Sequence, residues 1–146
     1  MRNDGRVTPR ERLLARIGDI NDFDRPRPMV TLREFFEGND DPASIGYNLP
    51  GEPEPAEFYR LLTAIAAKPA VLDVRIEVKD LEDPDGWPST DSIWIVTTAS
   101  LETARTWFPD HLAPDEWYER AAIGVEEPVE PVPVPPGAHA LCAWYD

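Results

Sequence analysis

The chain of 146 residues carries one cysteine, Cys142, so no disulfide framework can form within a monomer. It carries two lysines, Lys68 and Lys79, and two histidines, His111 and His139. A lysine-based active site therefore has few candidates, and a zinc site would need two further ligands beside the imidazoles. No apolar run approaches the ~18 residues that cross a bilayer. Residues 1–20 lack the apolar core of a signal peptide, which points to a cytoplasmic protein. There is no glycine-rich phosphate loop and no Gly-x-Ser-x-Gly element. Nothing implies a cofactor. The shortage of basic residues also argues against nucleic-acid binding, which needs Lys and Arg to neutralise phosphates.

What the chain has in quantity is negative charge. The formal net charge is −14, and the sequence pI is near 4.4. The charge is unevenly placed. Residues 1–28 hold seven Arg against five acids, whereas residues 29–146 hold seven basic residues against 23 acids. A mildly basic leader, 1–28, thus precedes a strongly acidic body, 29–146, joined through Arg25-Pro26-Arg27-Pro28. Met29 is an alternative start, which would make the leader dispensable. If the leader instead docks, its Arg residues mask part of the acidic surface.

Thr8-Pro9-Arg10-Glu11 predicts a leader helix with a capping box and a Pro in its first turn; Gly18 is a stop. In the body, Thr31 and Glu34 form a second capping box, with Val30 and Phe35 as a hydrophobic staple. Phe58, Leu61, Leu62 and Ile65 recur at helical spacing behind Pro53 and Pro55. Leu72, Val74, Ile76 and Val78 alternate with charged residues, which predicts a half-buried strand. A second strand over Ile93–Thr98 and a last one over Ala138–Tyr145 are apolar on both faces. Ser100 caps a helix that carries Leu101, Ala104 and Trp107, with one more helical turn at Trp117 and Tyr118. The Pro-rich stretch 126–136 predicts an extended arm.

The expected body is therefore α+β: a small, mostly antiparallel three-stranded sheet with helices on one face, in the order α-α-β-β-α-β. That order leaves Trp94 and Trp144 on a sheet face without cover. Large exposed apolar patches are uncommon in monomers, so the leader or a second subunit is expected to cover them.

Two acidic turns are the candidate sites. Asn39-Asp40-Asp41 could pair carboxylates for acid/base work, but adjacent Asp residues in a turn more often bond local N–H groups. Asp80-Leu81-Glu82-Asp83-Pro84-Asp85-Gly86 is the most metal-like segment. Setting Gly86 at the sixth position of a calcium loop places Leu81 first and Ser92 twelfth, and neither can ligate, so no metal site is expected. Cys142, between Leu141 and Ala143, reads as a buried small hydrophobe. No catalytic residue is assigned. Trp87 and Trp117 each sit among acids, and an aromatic ringed by acids suits a basic partner.

The segments Phe35-Phe36-Glu37-Gly38-Asn39, Trp87-Pro88 and Trp144-Tyr145-Asp146 give the body, over 29–146, a likeness to a known group. It resembles a family of short uncharacterised bacterial proteins with a Phe-Phe-x-Gly-Asn signature near the start, a Trp-Pro before the second strand and a closing Trp-x-Asp strand. The resemblance implies no catalytic residues.

Three functions remain open on these residues. The first is an acidic protein-interaction module that binds a basic protein, as an immunity protein neutralises a toxin, through Asp40, Asp41, Asp83, Asp85, Trp87 and Trp117. The second is a carboxylate-based enzyme or small-ligand domain, which requires the two acidic loops to converge on one pocket. The third is a structural homodimer joined through the Trp94/Trp144 face; otherwise the chain is a monomer.

Overall fold

Five antiparallel strands build one sheet in the computed structural model, which describes residues 6–146; residues 1–5 of the expected leader lie outside the described residues. The strands are β1 (Met29–Thr31), β2 (Val71–Glu77), β3 (Ser92–Thr97), β4 (Glu116–Arg120) and β5 (His139–Trp144). Their spatial order is β1-β2-β3-β5-β4. Among the described residues four α-helices accompany them: α1 (Pro9–Ile17), α2 (Leu32–Phe36), α3 (Pro55–Ala66) and α4 (Leu101–Arg105). The fold is α+β with an antiparallel sheet, as expected, but with five strands rather than three.

The two additional strands explain the difference. β1 has three residues, too few to show an alternating pattern, and it is held by pairing of Val30 with Ile76. β4 replaces the helical turn expected at Trp117 and Tyr118. Pro114 ends the preceding turn, and the next residues find open pairing positions along β5, with Tyr118 opposite Cys142. Trp117 and Tyr118 are adjacent, so in a strand they point to opposite faces.

The local start signals hold. Thr8 and Thr31 each form a full capping box with Glu11 and Glu34, and the Ser100 side chain accepts from the Thr103 N–H. Gly18 caps α1 with φ +64°. Helix α3 buries Phe58, Leu62 and Ile65 against Val74, Ile76, Ile93 and Ile95 on one sheet face. Leu13 and Ile17 of α1 enter the same core, each 1% exposed. The leader therefore packs on the helical face.

The second sheet face carries Met29, Trp94, Val96, Ala140 and Cys142, and it is covered by Ile123 and by Val129 and Val132 of the Pro-rich arm. This corrects the expectation that the leader or a second subunit covers Trp94. The arm is pinned by a bridge between Arg27 and Val129, with Arg27 N–H to Pro128 O at 2.8 Å and Glu130 N–H to Arg27 O at 2.9 Å. Pro residues keep it extended and remove competing donors, so its Val side chains can lie along the sheet. Trp94 is 4% exposed, and its indole N–H donates to the Glu77 carboxylate at 2.9 Å. Trp144, at the end of β5, is half-buried opposite Ser92 and Glu116. No helix among the described residues is long and apolar enough to cross a membrane.

Candidate functional site

The turn after α2 is shaped by Asn39, whose buried side-chain amide donates to Ser44 Oγ at 2.9 Å and to the Phe35 carbonyl at 3.4 Å. Its Oδ1 accepts from the Asp41 N–H at 3.0 Å. Asp41 then caps the short 3-10 turn Pro42–Ser44, accepting the Ala43 N–H on Oδ1 at 2.9 Å. Its other oxygen, Oδ2, accepts the Trp87 N–H at 3.2 Å, across 46 residues of sequence. The Trp87 indole donates to the Phe35 carbonyl at 2.8 Å, which fixes the ring beside α2. In the facing loop, Asp83 accepts from the Asp85 N–H at 2.9 Å and its carbonyl accepts from the Gly86 N–H at 2.9 Å.

The leader closes this arrangement. Arg10 donates through Nε to the Gly86 carbonyl at 2.8 Å and through Nη2 to the Pro84 carbonyl. Gly38 lets α1 approach: it sits at φ +78°, and a Cβ there would lie 3.2 Å from Pro9 Cβ. The result is a cavity of about 510 Å³ walled by Arg10, Gly38, Asp40, Asp41, Asp85 and Trp87, with Thr8, Pro9, Pro42 and Gly86 completing the lining.

Four of the six expected contact residues, Asp40, Asp41, Asp85 and Trp87, therefore meet in one groove. Asp83 shapes the loop beside it without lining it. Trp117 lies elsewhere: it is half-buried on β4 and packs edge-on against Phe108, with ring centroids 5.3 Å apart. Arg10 and Gly38 line the groove, a role that motif reading did not assign to them, and Asn39, named in the acidic turn, shapes that turn. The capping box around Arg10 showed a helix, but not where it docks.

The groove's carboxylates do different work. Both oxygens of Asp41 are occupied by backbone N–H groups. Asp40 and Asp85 are exposed. Among the described residues, no group of three or more His, Cys, Asp or Glu side chains is placed to hold a metal ion. Burial pushes the Cys142 thiol up to about 12, which removes it as a nucleophile near neutral pH. The imidazoles are occupied at the surface: His111 Nε2 lies 3.3 Å from Glu57, and His139 Nδ1 lies 3.1 Å from Glu119.

Fold and groove together define a small antiparallel α+β domain with an acidic surface groove anchored by one tryptophan. The chain belongs to the family described as Uncharacterized protein YfbO family, whose model matches residues 8–143. The match takes in α1, which the likeness over 29–146 left out. The chain is similar to Uncharacterized protein YfbO of Escherichia coli (strain K12), with 38% identity over 143 residues, covering 96% of this chain and 100% of that protein. No solved structure matches the chain.

Proposed function

We propose that this chain is an acidic protein-binding module that receives a basic protein in the groove at Trp87. The observation that carries this reading is the convergence of Asp40, Asp41 and Asp85 around a fixed indole, with Asp40 and Asp85 facing solvent. A rigid aromatic supplies contact area at little entropic cost, and the surrounding charge speeds encounter with a cationic surface. The net charge of −14 extends that attraction beyond the groove. A toxin-neutralising role is one form such a module takes. Acid/base catalysis is less favoured, because Asp41 is committed to capping and the other two carboxylates are solvated.

An arginine-rich model peptide titrated into the full chain tests the proposal, with binding read by calorimetry. Any polyacid attracts such a peptide, so position must be separated from charge. D40N/D85N and E102Q/E126Q remove equal charge from the groove and from other exposed positions. The groove pair should lose roughly tenfold in affinity and the control pair much less. W87F should weaken binding as well. Equal losses in the two pairs would sink the assignment.

A further inference from the structure

The two edges of the sheet are finished differently. On β1, the Met29 N–H donates to Glu130 Oε1 at 2.9 Å and the Thr31 N–H to Glu34 Oε1 at 2.8 Å. The Met29 carbonyl accepts from Arg16 and Arg75, each at 3.4 Å. Side chains thus close that edge. β4, at the other edge, has β5 as its single neighbour among the described residues.

The direction of the free backbone groups on β4 follows from the ladder. The Tyr145 N–H donates to the Asp91 carbonyl at 2.8 Å, in register with the pairing of Ser92 and Trp144. Odd-numbered residues of β5 therefore bond to β3 and even-numbered ones to β4. Glu116, Tyr118 and Arg120, opposite Trp144, Cys142 and Ala140, are the β4 residues bonded to β5. The backbone groups of Trp117 and Glu119 point away from the sheet. Among the described residues, the contact made to them is local: Arg120 Nη1 donates to the Glu119 carbonyl at 3.0 Å.

We propose that β4 pairs antiparallel with β4 of a second copy of this chain, about a two-fold axis at Tyr118. In that register Trp117 opposes the partner's Glu119, and the outward N–H and C=O groups of both strands satisfy one another. Tyr118 meets its own copy, and Glu116 faces the partner's Arg120 on both sides of the axis. These are non-hydrogen-bonded pairs, in which side chains approach most closely. The neighbouring registers fail on charge. Centring on Trp117 sets Asp115 against the partner's Glu119, and centring on Glu119 sets that carboxylate against itself. Charges on an edge strand commonly guard it against pairing. Here the order Glu-Trp-Tyr-Glu-Arg is complementary to its own reverse, so it selects one partner and one register. The side chains involved already share the arm face: the Tyr118 hydroxyl donates to Glu116, and the Arg120 guanidinium, which donates through Nε to Glu127, lies 5.7 Å from the Tyr118 ring. None of them lines the Trp87 groove, so the pairing stands apart from the proposed function.

Sedimentation equilibrium of the full chain tests this together with two variants. Glu116→Arg and Arg120→Glu each set like charges opposite and should weaken dimerisation by roughly tenfold or more. Mixed in equal amounts, the two variants present arginines to glutamates at both paired positions, and a heterodimer should form. Tyr118→Cys, made in a Cys142→Ala background because Cys142 lies opposite it on β5, supplies a readout independent of charge: its Cα atoms would lie about 4.5 Å apart across the axis, and oxidation should yield a cross-linked dimer, whereas Glu119→Cys in the same background should not. A wild-type chain that stays monomeric to about 100 µM would overturn the proposal. A dimer indifferent to the charge variants, or one that cross-links through Glu119→Cys in preference to Tyr118→Cys, would overturn it equally.

Discussion

Arg16 on α1 and Glu130 on the arm, 114 residues apart in sequence, form a two-pronged ion pair, Nη2 to Oε1 at 2.7 Å and Nη1 to Oε2 at 3.2 Å. The same carboxylate accepts the Met29 N–H at 2.9 Å. One side chain thus ties the leader, the first strand and the arm together. Burial raises the Glu130 carboxyl, but the hydrogen bonds from Arg16 and Met29 and the charge of Arg16 outweigh it, and the group is held below the ordinary carboxylate value. The Arg16 guanidinium is raised in turn, chiefly by its hydrogen bond to Glu130.

A depressed carboxylate stabilises the fold at pH values above its unfolded value, and the stabilisation disappears as pH falls through the folded one. Glu130→Gln keeps an acceptor but loses the charge. At neutral pH it should cost about 1 kcal/mol, a modest figure because both side chains are one-third exposed and water screens the pair. Urea denaturation of both proteins should show this gap narrowing below about pH 4. A gap that persists unchanged to lower pH would show that the charge contributes nothing.

Asp40 and Asp41 are neighbours with separate roles, and stability measurements should divide them. Asp41→Ala strands two N–H groups, those of Ala43 and Trp87, and should cost about 1–2 kcal/mol. It should also shift Trp87 emission to the red as the loop loosens. Asp40→Ala removes an exposed side chain and should stay within about 0.5 kcal/mol of the parent. Equal destabilisation by the two would contradict the division.

What the sequence made legible was local. The capping boxes at Thr8 and Thr31 and the cap at Ser100 are each written within four residues, and the structure holds all three. The alternation from Leu72 to Val78 marked the strand, but not its burial: Leu72, beside a register shift at Val71/Asp73, is exposed, and Glu77 on the charged face is buried under the arm. β1 and β4 had no such pattern, since one is three residues long and the other is an edge whose pairing comes from β5. The arm was readable as extended, but not as a cover, because Val129 and Val132, with Ile123 before them, follow no helical or strand period. The groove was half legible: both acidic turns were visible, while the 46-residue link from Asp41 to Trp87 and the approach of Arg10 are tertiary.

Trp94 and Glu77 form the polar centre of the arm-covered face. Glu77 is 6% exposed, and its two oxygens are used by the Trp94 indole at 2.9 Å and by Arg27 at 2.8 Å. Trp94→Phe leaves one buried carboxylate oxygen without its donor and should cost about 2–3 kcal/mol in chemical denaturation. Adding Glu77→Gln to Trp94→Phe should recover part of the loss, because a neutral amide is cheaper to bury than an under-bonded carboxylate. If the double variant is less stable than the sum of the single ones, the Arg27 contact dominates the site instead.

Cys142 tests whether the arm stays closed. The thiol is 3% exposed beneath Val129 and Val132, and burial holds it at about 12. At pH 8 its thiolate fraction is then near one in ten thousand, against about one in four for an unfolded cysteine. Labelling with an aromatic disulfide should therefore run about a thousandfold slower in the native chain than in urea, before any steric block is counted. Its rate should also report arm opening. Arg16→Ala frees Glu130 from its clamp, so it should speed labelling while leaving the helical-face core intact. Rapid labelling of the parent protein would mean that the arm samples an open state in which Met29, Trp94 and Val96 meet water. Equal rates in parent and Arg16→Ala would show that Arg16 does not hold the arm down.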